Sequence, residues 1–560
     1  MAPQVVDDDI APTQNVDDVR YVSDIPFPKE KEGKATAAGR ALIEEADIVP
    51  LTSLERKTTT KWELLCYYLY YFGNTGIGPW NYAPSQLQNV LYQAGFDPDQ
   101  SPVGKVACGT GRCFLGFAGA PKPITSIVLD ISGISFAIQV VVSLAIGAYA
   151  DYGSWRPLIC VVSSVISWGI GFAWLAVKGG AQWQTAIGLY ISGYVAFNCS
   201  TSYFLAAMPG LVRDLPNVQE SEQAVLEGRK NPEEHLILDM VERNRIADYA
   251  FLWTSYGPVV QLAIAAGILI ALNASLNTST NTNAINVIIA YTTGIWIVFA
   301  IPWFIKEQKR PGQQLPPGTS YLTIGFVNFW QALKEIRKLK QVMLYLAAFF
   351  ILSDAENTVV TVIGTLQNSV VSYDIITLNY LTILAFGTQG TGMLVMWLIQ
   401  KKYQLHTKTV LLFNVACIVV LCIWGFIGIW ADHVGFKNVG EIWAYEAYFG
   451  LLVCQWYQLP YTFISDLVPR PKLFLFWSLF SISGKTSAFI GPFVTSAIID
   501  RSGGNTNMAF AFLLPLCLIG MVMLWFVDPE MALLEAKEYL EAEASMLYKQ
   551  DIPQVEKTAY

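Results

Sequence analysis

The chain has 560 residues, 53% of them hydrophobic and 14% charged, against about 25% charged in an average soluble domain. With a mean hydropathy of +0.39, this composition excludes a water-soluble globular protein, which could not hide so much apolar side chain. The formal charge of −8 gathers in terminal acids, among them Asp7 to Asp9, Glu44, Glu45 and the stretch Glu530 to Glu543; no basic stripe marks a nucleic-acid partner.

In chain order, residues 1–61 are polar and acidic, carry no cleavable signal peptide, and read as a disordered cytosolic tail. A helix needs about 20 apolar residues to cross a bilayer. Trp62–Ala83 is the first such stretch, weakened by its Tyr, Gly and Asn content. Eleven clearer runs follow: Ile124–Ala150, Pro157–Val177, Gln184–Met208, Ile246–Leu272, Ala284–Ile305, Met343–Gly364, Ile375–Ile399, Val410–Trp430, Ile442–Ile464, Leu473–Ile499 and Met508–Val527. The runs are too long, and too poorly alternating, for barrel strands.

One set of connecting loops is rich in Lys and Arg, including Arg156, Arg213, Arg243, Lys306, Arg337 and Lys401; the opposite set holds only Lys105, Arg112, Lys122, Lys178, Lys437 and Arg501. By the positive-inside rule both termini are cytosolic. The sequons at Asn273 and Asn277 then fall on the lumenal side, close to the membrane. The expected domains are two six-helix parts, 62–305 and 341–527. A basic cytosolic linker, 306–340, with Pro311, Pro316 and Pro317 separates them, and an acidic cytosolic tail, 528–560, follows. This all-α plan of twelve transmembrane helices resembles the major facilitator fold, whose substrate site lies between the halves.

Between the second and third spans stands Gly147-Ala-Tyr-Ala-Asp151-Tyr-Gly153-Ser-Trp-Arg156. It is similar to the major facilitator loop signature G-x-x-x-D-x-x-G-x-[RK]. Gly147 permits close helix approach and Gly153 a tight turn. Asp151 suits a helix N-terminus and Arg156 an acid. Together they read as a cytosolic gating loop, against the plainer alternative of a charged turn.

Lys485 lies about 12 residues, or roughly 18 Å, into the eleventh span. A lysine at that depth requires water, an acid or substrate. The seventh span offers Asp354 and Glu356 at similar depth, so a pairing of Lys485 with one of them is expected, either coupling substrate or proton binding to rocking or fixing two helices. The first span can break at its Gly/Pro cluster and expose backbone to the ends of a zwitterion. Asn74 is its central polar residue, and Gln139, Asn198, Tyr203 and Gln455 are polar residues inside other spans. Asp130 and Glu446 lie nearer the lumenal end, where hydration accounts for them.

Seven cysteines sit singly in apolar runs, where Cys behaves as a small hydrophobe. Cys108 and Cys113 share a polar loop and can form a disulfide if it faces an oxidising lumen. No metal pattern and no phosphate-binding loop is present: Gly484-Lys-Thr486 lacks the upstream glycine. No cofactor is expected, and transport energy must come from the substrate gradient or an ion.

The order Tyr-Leu-Tyr-Tyr-Phe-Gly-Asn74, Ser135 and Gln139, the Asp151 loop, Arg243-Asn-Arg-Ile246, Asp354, Gln455, Gly-Lys485 and Gly-Pro492 resembles the fungal autophagy-related protein 22 family from about Trp62 to Val527. The resemblance implies a vacuolar membrane effluxer that returns amino acids, here neutral ones, from autophagic breakdown to the cytosol during nitrogen starvation. Protons are a candidate coupling partner through Asp354 or Glu356. The chain departs from the family pattern at Tyr71, where an acid is common, and at Pro460-Tyr461, where a Ser-Arg pair is common. A transporter of another metabolite at the vacuolar or plasma membrane is the nearest rival. A nutrient receptor without flux would call for a long folded signalling tail. A membrane enzyme would call for a clustered catalytic site, which this sequence does not offer.

Overall fold

The computed structural model describes residues 57–539, apart from 101–105, 109–111, 152–153, 275, 311–319, 321–323, 325–329, 331–332, 404 and 469–472. The bulk of both tails, the three linker prolines and Gly153 therefore lie outside the described residues.

The first membrane segment is interrupted. Thr60 caps α1 (Lys61–Gly73), accepting from the Glu63 amide. The chain then turns through Gly76, at φ 75°, into a single π turn, Ile77–Tyr82, and continues as α2 (Ala83–Ala94). The left-handed backbone at Gly76 suits a residue without Cβ. A short hairpin, β1 (Phe114–Phe117) with β2 (Ala120–Pro123), precedes the second segment; with the isolated bridges of Phe96 to Ala107 and Phe114 it departs from an all-helical chain. Cys108 and Cys113 beside it are joined by a disulfide, with Cα atoms 5.4 Å apart.

The N-terminal helices continue with α3 (Ile124–Asp151), α4 (Arg156–Ala173), α5 (Trp183–Leu205), the short α6 (Met208–Arg213) and α7 (Pro216–Leu226), α8 (Pro232–Ala271) and α9 (Thr278–Lys306). The Asn277 side chain caps α9 in a reciprocal capping box with Thr280. The C-terminal helices are α10 (Lys340–Val370), α11 (Ile375–Tyr403), α12 (Thr407–Ile427), α13 (Val439–Tyr448), α14 (Leu459–Leu467), α15 (Leu473–Ser487), α16 (Ile490–Arg501) and α17 (Phe510–Trp525).

Nine helices among the described residues are long and apolar enough to cross a bilayer, so unbroken helices do not reach the expected twelve. The three remaining apolar stretches are each divided: α1 from α2 by the Gly76 turn, α13 from α14 by a π turn and a 3-10 turn over 449–457, and α15 from α16 at residues 488–489. The first break falls at the expected Gly/Pro cluster; the other two lie in long apolar runs that do not reveal them, because hydropathy is blind to backbone phase. In architecture the chain is a polytopic helical membrane protein of the major facilitator fold.

Hydrogen bonds between the N-terminal and C-terminal helices gather at the end remote from the termini. Tyr82 donates to Asn379 (2.7 Å), Ser85 to Asn368 (3.0 Å), and Asn368 to Gln88 (2.9 Å). Asn281 donates to the Tyr373 carbonyl (2.8 Å) and accepts from the Ile375 amide (3.0 Å). Ser496 donates to the Ser126 carbonyl (3.1 Å). Lys122 bridges Asp130 (2.9 Å) and Asp500 (3.2 Å), and its hydrogen bond to Asp130 holds the ammonium above its ordinary pKa. Asp130 is thus tied to a cation rather than simply hydrated. This end is closed.

Candidate functional site

The sequence places Lys485 in the membrane; the structure decides what it meets. Its Nζ donates to the Ser202 hydroxyl on α5 at 3.0 Å, and Cys199 on the same helix lies within its electrostatic reach. The expected pairing with Asp354 or Glu356 does not form. Two positions on a helix are about 200° apart, so these acids face opposite ways. Asp354 Oδ1 accepts from the Gly491 amide of α16 at 2.8 Å, where a Cβ on residue 491 would stand 3.0 Å from that oxygen and 2.0 Å from Thr358 Oγ1. Glu356 turns toward the break between α13 and α14, beside Tyr457.

Two other candidates do converge with Lys485, through α5. Asn74 closes α1, its amide N–H bonded to the Tyr70 carbonyl, and its side-chain amide donates to Thr201 at 3.1 Å. Gln139 on α3 donates to Ser143 at 3.0 Å and lies beside Cys199. The site is therefore a ring of side chains about one stretch of α5: Gln139 and Lys485 meet it at Cys199 and Ser202, and Asn74 meets it on another face, at Thr201. Among the described residues Lys485 donates to Ser202 alone, although an ammonium carries three donors. Asn74 Oδ1 and Gln139 Oε1 are buried and accept no hydrogen bond. Vacant donors and vacant acceptors thus surround the same stretch of α5.

Sequence reasoning missed Thr201 and Ser202. The signal was there: Asn198 to Tyr203 is a polar run inside an otherwise apolar span, and Cys199 inside it is not merely filler. Gln455 belongs elsewhere, donating to the Gly392 carbonyl (3.3 Å) and the Leu451 carbonyl (3.1 Å); it ties the break near α13 to α11. A crevice beside the α1 break is lined by Asn74, Gly76, Tyr190, Tyr194, Thr293 and Trp296. The space within it is small, about 30 Å³.

Of the gating-loop candidates, Gly147 and Asp151 lie in the last turns of α3, with side chains outside the described residues. Arg156 opens α4 and pairs with Glu307 after α9 at 2.5 Å, also donating to the Tyr203 carbonyl at 3.3 Å. Burial pushes the Glu307 carboxyl up from its ordinary pKa, and the Arg156 guanidinium pulls it back. Nearby, Arg310 binds Glu63 (2.8 Å) and Asp214 (2.7 Å), all three side chains largely buried.

Comparison with known proteins fits this architecture. Residues 59–537 match the family model described as "Vacuole effluxer Atg22 like". Autophagy-related protein 22-1 of Sclerotinia sclerotiorum is 22% identical over 466 residues, covering 75% of this chain and 77% of that protein. Autophagy-related protein 22 of Coccidioides immitis is 23% identical over 471 residues, covering 78% and 77%. Among solved structures, a variant of the nucleoside transporter NupG superposes with a TM-score of 0.52 at 10% identity, over 83% of this chain and all of that one. A D-xylose–proton symporter gives 0.51 at 10% identity, over 84% and 97%. These neighbours share the fold, and they are transporters rather than enzymes. With a family match that runs through both sets of helices and all six residues of the ring, the chain belongs to the vacuole effluxer Atg22-like family.

Proposed function

We propose that this transporter moves amino acids across the vacuolar membrane to the cytosol, supplying products of autophagic breakdown during nitrogen starvation, and that both termini are cytosolic. The observation that carries the reading is the charge pattern of the ring. Lys485 offers free ammonium donors for a carboxylate, while Asn74 Oδ1 and Gln139 Oε1 offer free acceptors for an α-ammonium. A zwitterion satisfies both, and hydrogen bonds to charged groups inside a protein contribute about 1.5–3 kcal/mol each. The three divided segments complete twelve crossings alongside the nine unbroken helices. Neutral side chains suit the ring, since the nearby acids turn away from it. The substrate moves with protons, for which the acids of α10 are the carriers.

Isolated vacuoles with and without the protein, loaded with labelled leucine, tyrosine and lysine, test the reading. Protein-dependent efflux of leucine and tyrosine is expected, falling at least tenfold in a folded Lys485→Ala variant. Undiminished flux in that variant would remove the ring from the substrate path. No protein-dependent efflux of any of the three would move the function to another metabolite or to sensing.

A further inference from the structure

Two buried acids of the C-terminal helices take no part in the ring. Glu356 on α10 is 1% exposed, and neither of its carboxyl oxygens forms a hydrogen bond; the Tyr457 hydroxyl is the polar group beside it. Glu446 on α13 is buried too, against Gln367 of α10. The hydration assigned to it from its position in the sequence is therefore not what holds it.

The two acids belong to one seam. Glu356 and Gln367 are 11 residues apart on α10, which returns them to the same face about 16 Å apart along the axis. Glu446 and Tyr457 are also 11 residues apart on the opposing segment, which runs the other way. Between these ends stand the Tyr445 hydroxyl and the Cys454 thiol, each within electrostatic reach of both carboxyls. The ionisable groups facing Glu356 are thus Tyr457, Tyr445 and Cys454, and those facing Glu446 are Tyr445 and Cys454. None is a cation. Lys485, on the neighbouring α15, answers to Cys199 instead.

A carboxylate buried without a cation is costly even beside a hydroxyl or an amide, whereas the neutral acid is far less so. Such a group is a proton carrier if protons can reach it. The break over 449–457 loosens the backbone along the seam where Cys454 and Tyr457 sit. Glu446 lies only seven residues from the start of α13, at the end remote from the termini.

We propose that the seam between α10 and the divided α13–α14 segment is a proton path, with Glu446 as its entry and Glu356 as its mid-membrane station. A proton leaves the Glu446 carboxyl, each relay group gives up one proton as it takes another, and Glu356 receives one. Nothing is oxidised or reduced. The path is separate from the ring, so substrate and proton bind at different places and meet through the rocking of α10 against α15 and α16. It rests on the amino-acid transport reading above.

The test uses the full chain in liposomes with labelled leucine, in two assays: uptake driven by an acid-outside pH gradient, and leucine–leucine exchange without a gradient. Glu356→Gln and Glu446→Gln are each expected to lose gradient-driven uptake tenfold or more while exchange stays within twofold. Full gradient-driven uptake in either variant overturns the path. Loss of exchange as well makes the carboxyls parts of the packing and overturns it too. Wild-type exchange with no response to pH overturns the path and leaves the transport reading standing. Wild-type protein that exchanges neither leucine nor tyrosine overturns the transport reading; the infrared band of a buried protonated carboxyl then still decides the station. That band is expected to be weaker in Glu356→Gln than in the wild type, by the share of one carboxyl, and an unchanged band refutes the assignment.

Discussion

Arg310→Ala removes one guanidinium from two buried carboxylates. Arg310 grips both Glu63 oxygens, at 2.8 and 3.1 Å, and Asp214 at 2.7 Å, and it donates to Thr59 at 3.0 Å. Its side chain is 10% exposed, that of Glu63 1% and that of Asp214 4%, so water does not replace it cheaply. Breaking a buried pair from one side costs about 3–5 kcal/mol, which at roughly 1.4 kcal/mol per decade raises local opening about 100- to 3,000-fold. The segment held is the start of α1, and Cys66, one turn beyond Glu63, is a buried free thiol there. Its labelling rate by a water-soluble thiol reagent, followed by peptide mapping, reads the opening while reclosing outpaces the reagent. Arg310→Lys is expected to fall between, because an ammonium cannot bind a carboxylate through two parallel donors. Adding Glu63→Gln and Asp214→Asn to Arg310→Ala should return most of the loss, since no orphan charge then remains. Acceleration of less than threefold in Arg310→Ala would refute the reasoning: the carboxylates would not be desolvated as their burial indicates.

Gly491→Ala should destabilise the contact of α16 with α10 by about 1–3 kcal/mol, the usual cost of overpacking, because the new methyl meets Thr358 Oγ1 at 2.0 Å; thermal unfolding in lipid nanodiscs should show partial rescue by Thr358→Ala, and no rescue would mean the clash lies elsewhere. His235, on the part of α8 outside the membrane-spanning segment, is buried and close to Ser221 of α7 at 3.2 Å, and burial holds its pKa below the ordinary value near 6.5. The unfolded segment therefore binds the proton more readily, so stability is present above about pH 6.5 and is lost as pH falls through and below it. Proteolysis within α7 should quicken over that range in the wild type and stay flat in His235→Gln; a flat wild-type profile would contradict the burial.

The membrane character of the chain was legible because it depends only on apolar run length. The α1 break was legible through its glycines and proline. The partners of Lys485 were not. Choosing among Asp354, Glu356 and Ser202 requires the rotation of three helices about their own axes, and a polar serine inside a span carries no mark of which neighbour it meets. Glu446 misled for a related reason: distance from a span's end predicts hydration only when the side chain points to water, and this one points into the seam with α10. The division of α13 from α14 was hidden because Phe449 to Tyr457 is as apolar as the turns before it.

The closure at the end remote from the termini is built chiefly from amides and hydroxyls: Tyr82, Ser85, Gln88, Asn281, Asn368 and Asn379. None of these groups titrates between pH 5 and 8, and salt screens neutral dipoles little. A latch of this composition takes the same effort to undo in an acidic compartment as in a neutral one. Acidification then does not loosen these neutral bonds, which leaves the Lys122 bridge to Asp130 and Asp500 as the ionic part of the closure.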